Sequence, residues 1–147
     1  MSMILNLQHI VFNTYRRKMT ISPEHERELY KYLWRLIENR NSKLIRIGGI
    51  ANHVHLLVDL HSTVAPADIG GELKRKSSLW MKRSGLFPYF EGWGKEFFSF
   101  SKSGVHKSVV ANYIRAQKEH HRVRTFEEEL YDLVVSEGFE WDEKLLT

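Results

Sequence analysis

Two runs of β-forming residues, Lys43 to Ile50 and His53 to Leu60, stand only two residues apart in the chain. A gap that short admits one connection, an antiparallel hairpin, because a parallel crossover needs about a dozen residues or more. The hairpin constrains everything around it. Before it, "LNLQHIVFNT" from Leu5 to Thr14 reads as a strand. Ser22-Pro23-Glu24 then supplies an N-cap, a proline at the first helical position and an acid in the first turn. The helix so opened carries Leu29, Leu33, Leu36 and Ile37 on one stripe and closes at "ENRNS". After the hairpin, Pro66 and Asp68 open a second helix with Ile69, Leu73 and Trp80 on its apolar face. The glycines and proline of "SGLFPYFEGWGKE", Ser84 to Glu96, mark a loop, and "FFSFS" behind it reads as a fourth strand.

The order βαββαβ predicts an α+β, ferredoxin-like (RRM-like) fold: an antiparallel four-stranded sheet with two helices on one face. Two further helices, about Val105 to Arg122 and Phe126 to Ser136, are left to cover or flank the other face. With 147 residues the chain has room for a single domain, residues 1–147, and it shows no repeat or linker. No apolar stretch is long enough to cross a bilayer, and the first residues lack the pattern of a secretory signal, so the reading is cytoplasmic with no membrane partner. The absence of cysteine excludes disulfides and thiolate zinc sites. Any metal must be held by nitrogen or oxygen.

On the third strand, alternation puts His53, His55, Leu57 and Asp59 on one face and the aliphatic Val54, Leu56 and Val58 on the other. The aliphatic set belongs against the two helices, so the histidines point to the free face. Two imidazoles projecting side by side can converge on one divalent cation; they can equally be satisfied polar residues of a half-exposed sheet. In "VHKSVVANYIRAQKEHH", Tyr113 and Gln117 are four residues apart and share a helical face with Val109. A tyrosine there is either a nucleophile working beside a metal or ordinary packing.

The net charge of +4 is unevenly spread: Lys74, Arg75, Lys76, Lys82 and Arg83 cluster in one segment, Arg115, Lys118, Arg122 and Arg124 in another, with acids at Glu24 to Glu28 and Glu127 to Glu129. Such clusters suit phosphates, or are solvated helix faces. Phe87, Tyr89, Phe90 and Trp93 either stack on bases or, the favoured reading, close a small core over the loop. His120 and His121 end a helix, where a cap or phosphate contact is expected. His9, Asp59, His61 and His106 are assigned to the surface or to the surroundings of the site.

His-hydrophobic-His on the third strand, one tyrosine on a later helix and a glutamine one turn beyond it resemble the single-tyrosine HUH transposases of the smallest bacterial insertion sequences, the REP-associated tyrosine transposases among them. The resemblance extends to "HIVFNTYRR", "GGIANHVHLLV", "LKRKSSLWMKR", "FEGWGKEFFSFSKS" and "YIRAQKEHH", and covers nearly the whole chain. It implies His53, His55 and Gln117 as ligands of Mg²⁺ or Mn²⁺ and Tyr113 as the nucleophile. The reaction it implies is nicking and rejoining of single-stranded DNA near hairpins through a 5′-phosphotyrosine. DNA contacts by Lys74, Arg75, Lys76, Lys82, Arg83, Arg115 and Lys118, and a homodimer, complete the expectation. Two alternatives stand beside it. One is a non-catalytic single-stranded nucleic-acid binder using an RRM-like sheet face, and the other is a domesticated nick-and-join enzyme.

Overall fold

The structure, a computed structural model, describes residues 2–147. Its sheet is built from β1 (Leu7–Asn13), β2 (Lys43–Ile50), β3 (His53–Asp59) and β4 (Phe98–Lys102) in the spatial order β2-β3-β1-β4, all neighbours antiparallel. Helices α1 (Glu26–Asn39) and α2 (Pro66–Ser84) lie on one face. This is the expected ferredoxin-like arrangement. Pro23 opens a single 3-10 turn rather than α1 itself, and Ser22 makes no side-chain cap, so the α-helix starts three residues later, at Glu26.

The main core lies between the sheet and these two helices. Ile10 and Phe12 of β1 and Val54, Leu56 and Val58 of β3 pack on Leu29, Leu33, Leu36 and Ile37 of α1 and Ile69 and Leu73 of α2. The loop after α2 belongs to the same core: Phe87 and Phe90 are buried, and Trp93 meets Phe12 edge-on and donates to Ser77 Oγ at 2.9 Å. Tyr89 alone of the four loop aromatics is left exposed.

The second sheet face is covered. Helix α3 (Lys107–Arg115) and the short α4 (Gln117–His120) lie over β2 and β3, while α5 (Phe126–Ser136) places Phe126, Leu130 and Val134 on Val11, Phe98 and Phe100. A capping box between Thr125 and Glu128 starts α5. The expected single helix from Val105 to Arg122 is interrupted at Ala116, whose ψ of 14° releases the axis. No glycine or proline causes this. The Gln117 side chain, bonded to the sheet and to α5, holds the segment after the break in place. Val109, expected on the Tyr113 face, projects into solvent; Val110 and Ile114 make the contact with the sheet instead.

With both faces covered, no open sheet platform remains for an RRM-like mode of base stacking. Close approach of α3 depends on Gly48 of β2, where a Cβ would stand 2.5 Å from the backbone oxygen of Ile114. A backbone atom cannot swing aside as a side chain can. Gly48→Ala is therefore expected to displace α3, costing about 1–3 kcal/mol in stability and most of any activity that depends on Tyr113. Unchanged thermal unfolding and unchanged activity would show that α3 does not need this contact.

Candidate active site

His53 and His55 sit on the face read from the alternation of β3, and both are fully buried under α3–α5. Gln117 and Glu129, also buried, complete a polar cluster in an otherwise apolar layer. Gln117 reaches it because the chain turns at Ala116. Glu129 reaches it because Phe126 and Leu130, its neighbours on one side of α5, are anchored in the core beneath. Phe126 also stacks on the His53 ring, with centroids 4.3 Å apart.

The donor atoms converge. His53 Nε2 lies 2.8 Å from Gln117 Oε1 and 3.3 Å from Glu129 Oε1. His55 Nε2 is 3.1 Å from the same Glu129 oxygen, and His121 Nε2 lies 3.0 Å from Gln117 Oε1 and 3.1 Å from Glu129 Oε1. The other Glu129 oxygen, Oε2, accepts from Gln117 Nε2 at 2.7 Å and from the Tyr113 hydroxyl. Behind the ligating face, His53 Nδ1 meets Asn52 Oδ1 and His55 Nδ1 meets His9 Nε2, each at 2.8 Å.

Burial pushes the His53 imidazole down to about 4, against an opposing hydrogen bond to Glu129, and burial lowers His9 as well. Both rings are neutral at pH 7. For Glu129 burial alone would raise the carboxyl, but the imidazoles of His121, His53 and His55 that face it outweigh burial and hold it below the usual carboxylate range. Tyr113 is raised above its ordinary value by burial and by the Glu129 charge, so its phenol is protonated and donates.

This donor set fits a small divalent cation. An octahedral ion with bonds of about 2.1 Å places adjacent ligand atoms roughly 3.0 Å apart, and the His53–Gln117, His55–Glu129 and His53–Glu129 separations are 2.8, 3.1 and 3.3 Å. Nitrogen and oxygen donors with one carboxylate suit Mg²⁺ or Mn²⁺. Among the described residues, His53, His55 and Glu129 form the group that could hold a metal ion, with donor atoms within 4.8 Å of one another.

The fold brings together four residues picked from the sequence: His53, His55, Tyr113 and Gln117. It separates them from the α2 cluster, which lies across the sheet. There Lys74 donates to the Lys95 and Glu96 carbonyls and Lys76 pairs with Glu72, while Arg75, Lys82 and Arg83 are exposed. Lys118 pairs with Glu26, and Arg115 is exposed beside the site. His121, expected to cap a helix or meet phosphate, belongs to the donor cluster, because the break at Ala116 re-aims the chain after it; its Nδ1 donates to the Arg124 carbonyl at 2.9 Å. His120 stacks on Tyr113. His9, assigned to surface or surroundings, is a buried partner of His55. Glu129 was not singled out at all.

Beside the donor cluster, Arg17, Asn52, His121, Arg122, Arg124 and Thr125 help line a cavity of about 430 Å³. Arg16 and Arg17 both adopt positive φ, 54° and 57°, a conformation costly for non-glycine residues. It turns Arg17 back onto Glu127 at the start of α5.

The family model for IS200-like transposases matches residues 4–117. The chain belongs to this family. The match includes His53, His55, Tyr113 and Gln117 and ends before His121 and Glu129. Transposases of insertion sequence element IS200 from Salmonella typhimurium and Salmonella typhi are each 26% identical over 115 residues, 76% of this chain and 76% of theirs. Among solved structures, a candidate transposase from Deinococcus radiodurans superposes with a TM-score of 0.62 at 20% identity, covering 79% of this chain and 93% of its own. A REP-associated tyrosine transposase bound to a REP hairpin gives a TM-score of 0.63 at 13% identity, over 97% of this chain and 90% of its own. These likenesses confirm the fold of an IS200-like transposase. Among the described residues no helix is long and apolar enough to cross a membrane.

Proposed function

We propose that this IS200-like transposase nicks and rejoins single-stranded DNA near hairpins through a 5′-phosphotyrosine on Tyr113. One observation carries the reading: the Tyr113 hydroxyl is hydrogen-bonded to Glu129, the carboxylate that also touches both histidines of the β3 pair. Nucleophile and metal-binding donors are thus one residue apart. The hairpin-bound relative supports the substrate class.

His53, His55, Gln117 and Glu129 would hold Mg²⁺ or Mn²⁺, which supplies Lewis-acid polarisation of the scissile phosphate when bound. In the cleavage step the Tyr113 oxygen, oriented by its hydrogen bond to Glu129 Oε2, attacks phosphorus and gives up its proton as the bond to the 3′ oxygen breaks. The 5′ phosphate stays on the tyrosine, and the freed 3′ oxygen takes a proton. The rejoining step reverses this with a new 3′ hydroxyl. The phosphoester energy is conserved in the protein–DNA bond, so no nucleotide is consumed. Arg17, Arg122 and Arg124 line the cavity beside the ligands together with Glu127 and Glu128; Arg17 is paired with Glu127 and Arg124 with Asp132, which leaves Arg122 to meet the phosphodiester. Sites of this kind need an unstacked backbone, so a flexible single strand is the substrate and intact duplex is not.

The test is adduct formation on labelled single-stranded hairpins against blunt duplex of the same sequence, with Mg²⁺ or Mn²⁺. An adduct is expected only with the single-stranded substrate, and binding should weaken steeply with salt as counterions are released. Equal cleavage of duplex, or no adduct across varied hairpins, would overturn the reading. A homodimer is part of the proposal and light scattering decides it. His53, His55, Tyr113, Gln117 and Glu129 all come from one chain, so pairing is not needed to assemble the site.

A further inference from the structure

A histidine offers a lone pair to a cation only from the ring nitrogen that carries no proton, so the proton must be held at the other nitrogen. For His53 that second nitrogen faces Asn52 Oδ1. A carbonyl oxygen only accepts, and the amide is set this way round by Asn52 Nδ2 donating to the Arg17 carbonyl at 3.4 Å. His53 Nδ1 therefore carries the proton and Nε2 faces Gln117 and Glu129.

For His55 the partner is unusual: another imidazole. His9 stands opposite Leu57 in the β1–β3 register, which makes it the diagonal neighbour of His55 on the same sheet face. The two rings stack with centroids 5.1 Å apart and planes inclined by 25°, and His9 Nε2 lies 2.8 Å from His55 Nδ1. The adjacent β1 positions on this face, Leu7 and Val11, are apolar and buried, so packing alone would accept an aliphatic side chain at residue 9. Tyr113 sets its ring edge against both imidazoles, 5.7 Å from His55 and 6.2 Å from His9.

We infer that His9 is a positioning residue of this site: its Nε2 accepts the Nδ1 proton of His55 and so keeps the His55 Nε2 lone pair facing the metal-binding donors. The inference rests on the metal reading given above. His9 touches neither substrate nor ion. Its own proton sits at Nδ1, and the stacked pair fixes both the tautomer and the tilt of the ligating ring, as Asn52 does for His53.

The variants that separate acceptor from bulk are His9→Gln, whose amide oxygen can reach the place of Nε2, and His9→Leu, which fills the space and accepts nothing. Mn²⁺ affinity is expected to fall about 10–100-fold in His9→Leu, the usual loss when an outer partner of a ligating histidine is removed, and to stay close to wild type in His9→Gln. Nitrogen-15 NMR of the Zn²⁺-loaded wild-type protein should find the His55 proton at Nδ1. A wild-type spectrum with that proton at Nε2 overturns the inference even if His9→Leu does not fold. A His9→Leu protein that folds and keeps full Mn²⁺ affinity overturns it too, since a purely structural role would lower thermal unfolding and leave affinity unmoved. Wild-type protein that binds neither Mn²⁺ nor Zn²⁺ would fell the metal reading and this inference together, whereas intact wild-type binding with an indifferent His9→Leu fells this inference alone.

Discussion

Tyr113→Phe protein is expected to form no covalent adduct with labelled single-stranded hairpin DNA, while binding that DNA and Mn²⁺ almost as the wild type does. The substitution removes one oxygen. The ring keeps its edge contacts with His9 and His55 and its stack on His120. Glu129 Oε2 loses one of its two donors but retains Gln117 Nε2, so the stability cost is about 1 kcal/mol. A fold intact to that degree with all adduct chemistry gone can only reflect the loss of the nucleophile. If the tyrosine served packing, phenylalanine would be nearly silent in every assay. Mixing with His53→Ala should not restore activity, because each variant lacks part of a site drawn from a single chain. An adduct that persists in Tyr113→Phe removes Tyr113 from the mechanism.

The sheet and its first two helices were legible because their signals are local and redundant. The short gap at Ala51-Asn52 forces the hairpin, the β3 alternation separates Val54, Leu56 and Val58 from the histidines, and the α1 stripe is spaced for a helix. Tyr113 and Gln117 were found by their four-residue spacing, although the helix meant to carry both breaks between them. Where the site was missed, a stronger reading masked the weaker one. Glu129 ends a run of three acids, and acids at a helix start are ordinarily explained by the helix dipole. The usable signal was the spacing of Phe126, Leu130 and Val134, which turns Glu129 inward while Glu128 stays exposed. His121 was hidden by the change of direction at Ala116, which no residue type announces. His9 lies on a strand buried along its whole length, where alternation no longer separates a solvent face from a core face.

Glu129→Gln is the second change with a large expected effect. The amide keeps the shape of the carboxylate, but it removes the one negative charge among three imidazoles and an amide. A cation that gains two neutral nitrogens and two amide oxygens is held far more weakly than one that also gains a carboxylate. Removing an outer partner of a ligand already costs about 10–100-fold, so losing the charged donor should lower Mn²⁺ affinity by about 100-fold or more, and adduct formation with it. Acid sensitivity comes from two groups of the site. His53 is depressed from 6.5 to about 4, so the unfolded chain takes up a proton that the folded chain refuses between those values. Stability from this group is complete above pH 6.5 and is lost as pH falls toward 4, about 3 kcal/mol in all. Glu129, held low by the histidines, adds stability that persists above its unfolded value of about 4.5 and is lost only as pH falls through its lower folded value. In metal-free Glu129→Gln the second contribution is absent, because an amide does not titrate, and the first deepens, because the carboxylate that opposed the His53 depression is gone. Calorimetry from pH 7 down to 2, with and without Mn²⁺, measures both effects. Full Mn²⁺ affinity and undiminished cleavage in Glu129→Gln would reduce the carboxylate to a spacer and return the metal to His53, His55 and Gln117 alone.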